Sequence, residues 1–257
     1  MISVDLEDDL ARAESGSGWC PECRSCDDVV VDAEEISLTY RIVMAFAAPI
    51  VRWWGRLEVV GEHVLPSRGA TVIFANHDSA WDPLVIGLAA QRRQVRALAK
   101  SSLWKSRPVG WVLDHMGQIP IDRGRGDAGA LSAAVTQLRA GACIGVFPEG
   151  TVSRGKALRA LSGAGRLALA VPEARIVCVG VTGAVDIVRF PKRPKVRVVF
   201  FEPSGGPPRD GETAVGLTKR LMAEVRAGAP HAVPGRRKKA AEFRRLANEP
   251  QQPQKQG

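Results

Sequence analysis

Six short runs restrict the fold of this 257-residue chain more than any other feature: Thr71–Ala75, Val95–Ala99, Gly117–Ile121, Cys143–Phe147, Arg175–Val181 and Val196–Phe201. They are rich in β-branched residues and bounded by turn residues. Most are apolar at nearly every position, not at every second one. A strand that is apolar on both faces has to be covered on both faces. The pattern therefore predicts an α/β fold with a largely parallel central sheet and helices on either side. Pro83–Ala90, Gly129–Ala140, Gly163–Ala170 and Thr213–Ala227 read as those helices.

Charge divides the chain further. The net charge is +9, yet residues 1–35 hold eleven acids against two arginines and residues 234–257 seven bases against two acids. Both segments lack large apolar clusters and are expected to be disordered tails, which leaves +13 on residues 36–233. A basic excess implies a polyanionic partner: nucleic acid, a phosphate-bearing substrate or an anionic membrane. No nucleic-acid-binding motif and no basic stripe interleaved with aromatics is found, so nucleic acid is not an expected partner. The acidic first ten residues, with no apolar stretch after them, predict no secretory signal.

Residues 36–55 precede the main domain, expected at 56–233. They hold the longest apolar run, the ten residues Ile42–Val51 between Arg41 and Arg52. That is about half of what a simple membrane span needs. The segment reads as an amphipathic, apolar helix that either packs on the core or lies on a membrane. Trp53, Trp54 and the flanking arginines favour membrane contact. Pro49 is expected to break or kink it. Cys143 and Cys178 sit in strand-like runs and read as small buried hydrophobes. Cys20, Cys23 and Cys26 form C-P-E-C-R-S-C, three sulfurs with no nearby histidine, whereas a zinc site needs four ligands. No metal is expected there, and reduced thiols fit a cytosolic setting.

Three segments carry the chemistry, each just past a predicted strand. In a parallel sheet all such ends fall on one edge, where α/β folds bind ligands. The first is Asn76-His77-Asp78-Ser79-Ala80-Trp81-Asp82-Pro83. His77 is a candidate general base and Asp82 a candidate partner for its other ring nitrogen. On a continuous helix the two would point about 140° apart, so they meet only if the chain turns between them. Alternatively, Asp82 merely caps a helix that starts at Pro83. The second segment, Gly117–Arg123, offers the Arg123 guanidinium, whose planar fork suits phosphate. The third is Phe147-Pro148-Glu149-Gly150-Thr151-Val152-Ser153-Arg154. Backbone N–H groups around Gly150 and Thr151 could hold a phosphate or polarise a carbonyl. Gly124–Gly129 matches G-x-G-x-x-G, with Glu149 twenty residues further on. Two residues separate it from the strand, however, and Asp127 would repel a pyrophosphate. No G-x-S-x-G elbow occurs.

Asn76-His77-x4-Asp82, Gly117–Arg123, Phe147–Thr151 and Ile176–Val181, in this order and spacing, resemble the four motifs of the glycerolipid acyltransferases. The likeness is to the bacterial 1-acyl-sn-glycerol-3-phosphate acyltransferases and covers about residues 40–225. It implies acyl transfer from acyl-CoA or acyl carrier protein to lysophosphatidate, giving phosphatidate. It also implies a site on the cytoplasmic face of the cell membrane. His77 would deprotonate the acceptor hydroxyl and Asp82 would orient His77. Arg123 with Glu149, Gly150, Thr151 and Arg154 would hold the phosphate and glycerol. Since like charges repel, Glu149 suits a hydroxyl contact or a pairing with Arg123. A hydroxyl attacking a thioester needs a base and charge stabilisation, so no metal or organic cofactor is expected. The family commonly has Arg where this chain has Val152, basic residues where it has Leu161 and Ser162, and proline where it has Cys178. These departures leave open another lysolipid acceptor. A non-catalytic phospholipid-binding protein of the same fold and a nucleotide-dependent enzyme using Gly124–Gly129 are the remaining alternatives.

Overall fold

The central strand of the computed structural model is β2 (Thr71–Ala75), buried at every residue. The structure describes residues 35–122, 127–188 and 193–231. Nearly all of the two expected tails, and Arg123, lie outside these residues. Seven strands form one sheet in the order β1-β7-β6-β2-β5-β3-β4. The others are β1 (Glu58–Val60), β3 (Val95–Lys100), β4 (Ile119–Ile121), β5 (Cys143–Val146), β6 (Arg175–Thr182) and β7 (Arg197–Phe201). All neighbours pair parallel except β6 with β7. The sheet is thus largely parallel, as the double-sided apolar runs require.

Alternate residues of one strand feed two cores. Val72 and Phe74 face α4 (Ala128–Arg139), α5 (Gly163–Ala170) and α6 (Ala214–Gly228). Ile73 and Ala75 face α1 (Leu38–Ala48) and α2 (Asp82–Ala89) on the other side. Each core joins about twenty buried residues. At about 25 cal/mol per Å² of apolar surface, these two layers are the main stabilising term. Side-chain caps start three helices where Ser37, Asp127 and Thr213 accept from backbone N–H groups of α1, α4 and α6. Asp127 thereby occupies the helix N-terminus where the glycine-rich match would have seated a pyrophosphate.

Three features depart from the sequence reading. β1 and α3 (Arg107–His115) are extra elements, too short or too mixed in pattern to announce themselves. β7 runs antiparallel to β6. Pro49 does not end the first helix, which continues through Pro49–Trp54 as a wider π turn. Proline removes one N–H and crowds the preceding turn. The helix absorbs this by moving to longer bonds, such as Gly55 N to Ile50 O at 2.8 Å and Leu57 N to Arg52 O at 3.3 Å.

Candidate active site

Parallel pairing brings the motif loops together. Phe74 lies beside Val146 of β5 and Ala75 beside Val179 of β6. The residues just past β2 and β5 therefore emerge side by side at one sheet edge. Asn76 secures the first loop to the fourth motif segment. Its amide accepts from Val181 N and donates to Val181 O, both at 2.8 Å. The second loop crosses over it, with Ser153 N donating to His77 O at 2.7 Å.

Between Asn76 and Asp82 the chain turns instead of continuing as a helix. His77 Nδ1 and Asp82 Oδ2 meet at 3.2 Å. Asp82 opens α2 but does not cap it; its side chain turns back. Oδ2 accepts from the N–H groups of Asp78 and Ser79, both at 2.7 Å. This oxygen thus braces the turn and is placed to accept an Nδ1–H, the tautomer in which Nε2 keeps its lone pair. His77 is 7% exposed and Asp82 fully buried. Burial pushes the Asp82 carboxyl above the usual carboxylate range, against hydrogen bonds from His77 and the Ser79 N–H. Phe147 stacks on the imidazole with centroids 4.4 Å apart, fixing its plane. The same Phe147, with Met44, Pro83, Leu84 and Met116, lines a small apolar recess of about 40 Å³.

The other expected site residues are placed differently. Glu149 is buried and faces inward. Its Oε2 accepts from His77 N at 3.1 Å, and its Oε1 accepts from Nε of Arg226 at 2.8 Å. Its cationic partner is therefore Arg226, on α6. Gly150 takes φ +67°, and its N–H is already bonded to Phe147 O at 2.9 Å. Thr151 and Arg154 are exposed beside it, with Arg154 at φ +50°. The sequence reading missed Asp78, Ser153 and Arg226. For Arg226 a faint signal existed, since it falls four residues after the buried Met222 of α6. Among the described residues no cluster of His, Cys, Asp or Glu could hold a metal ion.

A histidine held by a buried carboxylate at a sheet edge is an arrangement that can take a proton from a hydroxyl. Residues 56–182 match the family model described as Acyltransferase. The 1-acyl-sn-glycerol-3-phosphate acyltransferase of Bacillus subtilis (strain 168) is 26% identical over 152 residues, 59% of this chain and 66% of that protein. The lyso-ornithine lipid O-acyltransferase of Pseudomonas aeruginosa is 30% identical over 142 residues, 50% of this chain and 53% of that protein. The chain thus spans about half to two thirds of the length of these relatives. The solved 1-acyl-sn-glycerophosphate acyltransferase PlsC of Thermotoga maritima shares the fold, with TM-score 0.55 and 22% identity over 74% of this chain and 79% of that one. Residues 56–182, which hold the His77 and Glu149 loops and most of the sheet behind them, are the part of the chain similar to the acyltransferase family.

Proposed function

We propose that this protein transfers a fatty acyl group from acyl-CoA or acyl carrier protein to the free hydroxyl of 1-acylglycerol 3-phosphate, giving phosphatidate. The observation that carries the reading is the His77–Asp82 pair at 3.2 Å beside the apolar recess. In the proposed reaction Nε2 takes the hydroxyl proton as the oxygen attacks the thioester carbonyl. The C–S bond then breaks, and the thiolate leaves with that proton. Asp82 stabilises the transient imidazolium. Arg123, Thr151 and Arg154 meet the phosphate, and every group in this scheme is a protein side chain.

The active edge would face an anionic bilayer on its cytoplasmic side. What supports this is the outer face of α1 and its π extension, where Phe46 is 79% and Trp53 70% exposed among Leu38, Ile42 and Ile50. Arg41 and Arg52 lie on the same stretch, and none of the described helices is long and apolar enough to cross a membrane. Contact at the headgroup level fits such a surface. A different lysolipid acceptor is the second reading. Val152, where the family commonly carries Arg, favours it, as does the name of the P. aeruginosa relative.

The test is thiol release by the purified full chain with each donor and a panel of acceptors: lysophosphatidate against neutral and zwitterionic lysolipids. Release is expected to be fastest with lysophosphatidate and absent in His77→Ala. A His77→Ala protein that keeps more than a few per cent of the rate removes the base assignment. A faster neutral acceptor replaces the headgroup.

A further inference from the structure

The last of the described helices, α6, reaches into the site with a residue that lies outside the matched family region. Arg226 is 148 positions from Asp78 and 77 from Glu149. Its Nη1 and Nη2 donate to the two Asp78 oxygens at 2.8 and 3.0 Å. Its Nε donates to Glu149 Oε1 at 2.8 Å, and Nη2 donates to the same oxygen. Nη1 also reaches Ala229 O at 3.3 Å. A guanidinium has five N–H donors, and these five contacts use them all. Arg226 therefore has nothing left for a substrate phosphate. Both carboxylates are buried. Burial works against the charge of Arg226, but the hydrogen bonds it donates to Asp78 and Glu149, together with their negative charges, outweigh it and raise its pKa.

Both residues are also tied to the His77 loop. Glu149 Oε2 accepts the N–H of His77 at 3.1 Å, and the N–H of Asp78 donates to Asp82 Oδ2 at 2.7 Å. Asp78 further accepts from Ser153 Oγ and, at 2.9 Å, from Asn76 Nδ2. One route from the guanidinium to His77 runs through the Glu149 carboxylate and the His77 backbone N–H; the other runs through Asp78, its backbone N–H and the Asp82 carboxylate. Without Arg226, two buried negative charges would face each other and push the two loops apart.

We propose that Arg226 is a positioning residue of the acyl transfer, clamping the His77 loop to the Glu149 loop so that the base stands at working distance from the acceptor hydroxyl. The proposal rests on the acyl-transfer reading above. Lysine keeps the charge but is a point donor with three N–H groups, and it cannot fork across both carboxylates.

The test compares Arg226→Lys and Arg226→Ala with the wild type by steady-state thiol release and by NMR of the His77 ring nitrogens. Misplacing a catalytic group by about 1 Å costs on the order of 10²-fold. Arg226→Lys is expected to lose at least about tenfold in kcat with little change in donor KM, and to shift the His77 signals. Adding methylguanidinium is expected to restore part of the Arg226→Ala rate. A folded Arg226→Lys protein with wild-type kcat and unshifted His77 signals overturns the proposal. If Arg226→Ala does not fold, the lysine variant decides alone. Wild-type protein that releases no thiol on any acceptor overturns the acyl-transfer reading instead; the clamp is then judged by the His77 signals, and unshifted signals overturn it.

Discussion

Asparagine at position 82 separates bracing from catalysis. Asp82 Oδ2 accepts from two backbone N–H groups at 2.7 Å and contacts His77 Nδ1 at 3.2 Å, while Oδ1 has no partner among the described residues. The Asn side-chain oxygen can take the place of Oδ2 and keep all three bonds, so the turn and the His77 tautomer persist. The amide nitrogen then occupies the unpartnered Oδ1 position, an unsatisfied buried donor that costs about 1–3 kcal/mol of stability. What disappears is the negative charge. At 3.2 Å and an effective dielectric of about 20, its attraction for an imidazolium is about 5 kcal/mol. The neutral hydrogen bond retains part of that, so the expected loss in kcat is about 10³-fold, each decade being about 1.4 kcal/mol. The assay is thiol release at saturating donor and acceptor, with circular dichroism and thermal unfolding on the same samples. KM is expected to change little. A folded Asp82→Asn protein within tenfold of wild-type kcat would refute the electrostatic role and leave Asp82 as a brace for the turn.

Two further outcomes follow from packing. In Gly165→Ala the new Cβ would lie 2.1 Å from Ala214 O and 2.6 Å from Thr218 Oγ1, so α5 and α6 must separate. The expected cost is about 1–3 kcal/mol, read as a lower Tm; a raised Tm, which alanine's better helix propensity alone would produce, contradicts the close packing. Burial pushes the thiols of both Cys143 and Cys178 up to about 12. In a variant with Cys20, Cys23 and Cys26 changed to Ser, no thiol is expected to react with a disulfide reagent at pH 8 until the protein is unfolded. Rapid reaction of either in the native state would mean that the sheet opens.

The hydrophobic pattern carried the architecture. Thr71–Ala75 is apolar on both faces because it is buried on both faces, and that alone implies a covered, mostly parallel sheet. Once strands are parallel, the residues after β2 and β5 must share an edge, so the His77 and Glu149 loops were destined to meet. The Asp82-Pro83 pair signalled a turn that could return Asp82 to His77, although it also allowed a simple cap. Burial periodicity reports which side of an element is covered and says nothing about what covers it. The strand β1 is three residues long and too short for a period. The reversed direction of β7 depends on how the chain returns after β6. Glu149 reads from its neighbours as a ligand for substrate, yet its partner is Arg226, 77 residues away on another element. Charges are long-range in sequence and short-range in space, so their pairing is decided only when packed helices bring α6 across the sheet edge. The sequence alone determined the sheet and the edge at which the His77 and Glu149 loops meet; the tertiary structure decided which charge pairs with Glu149.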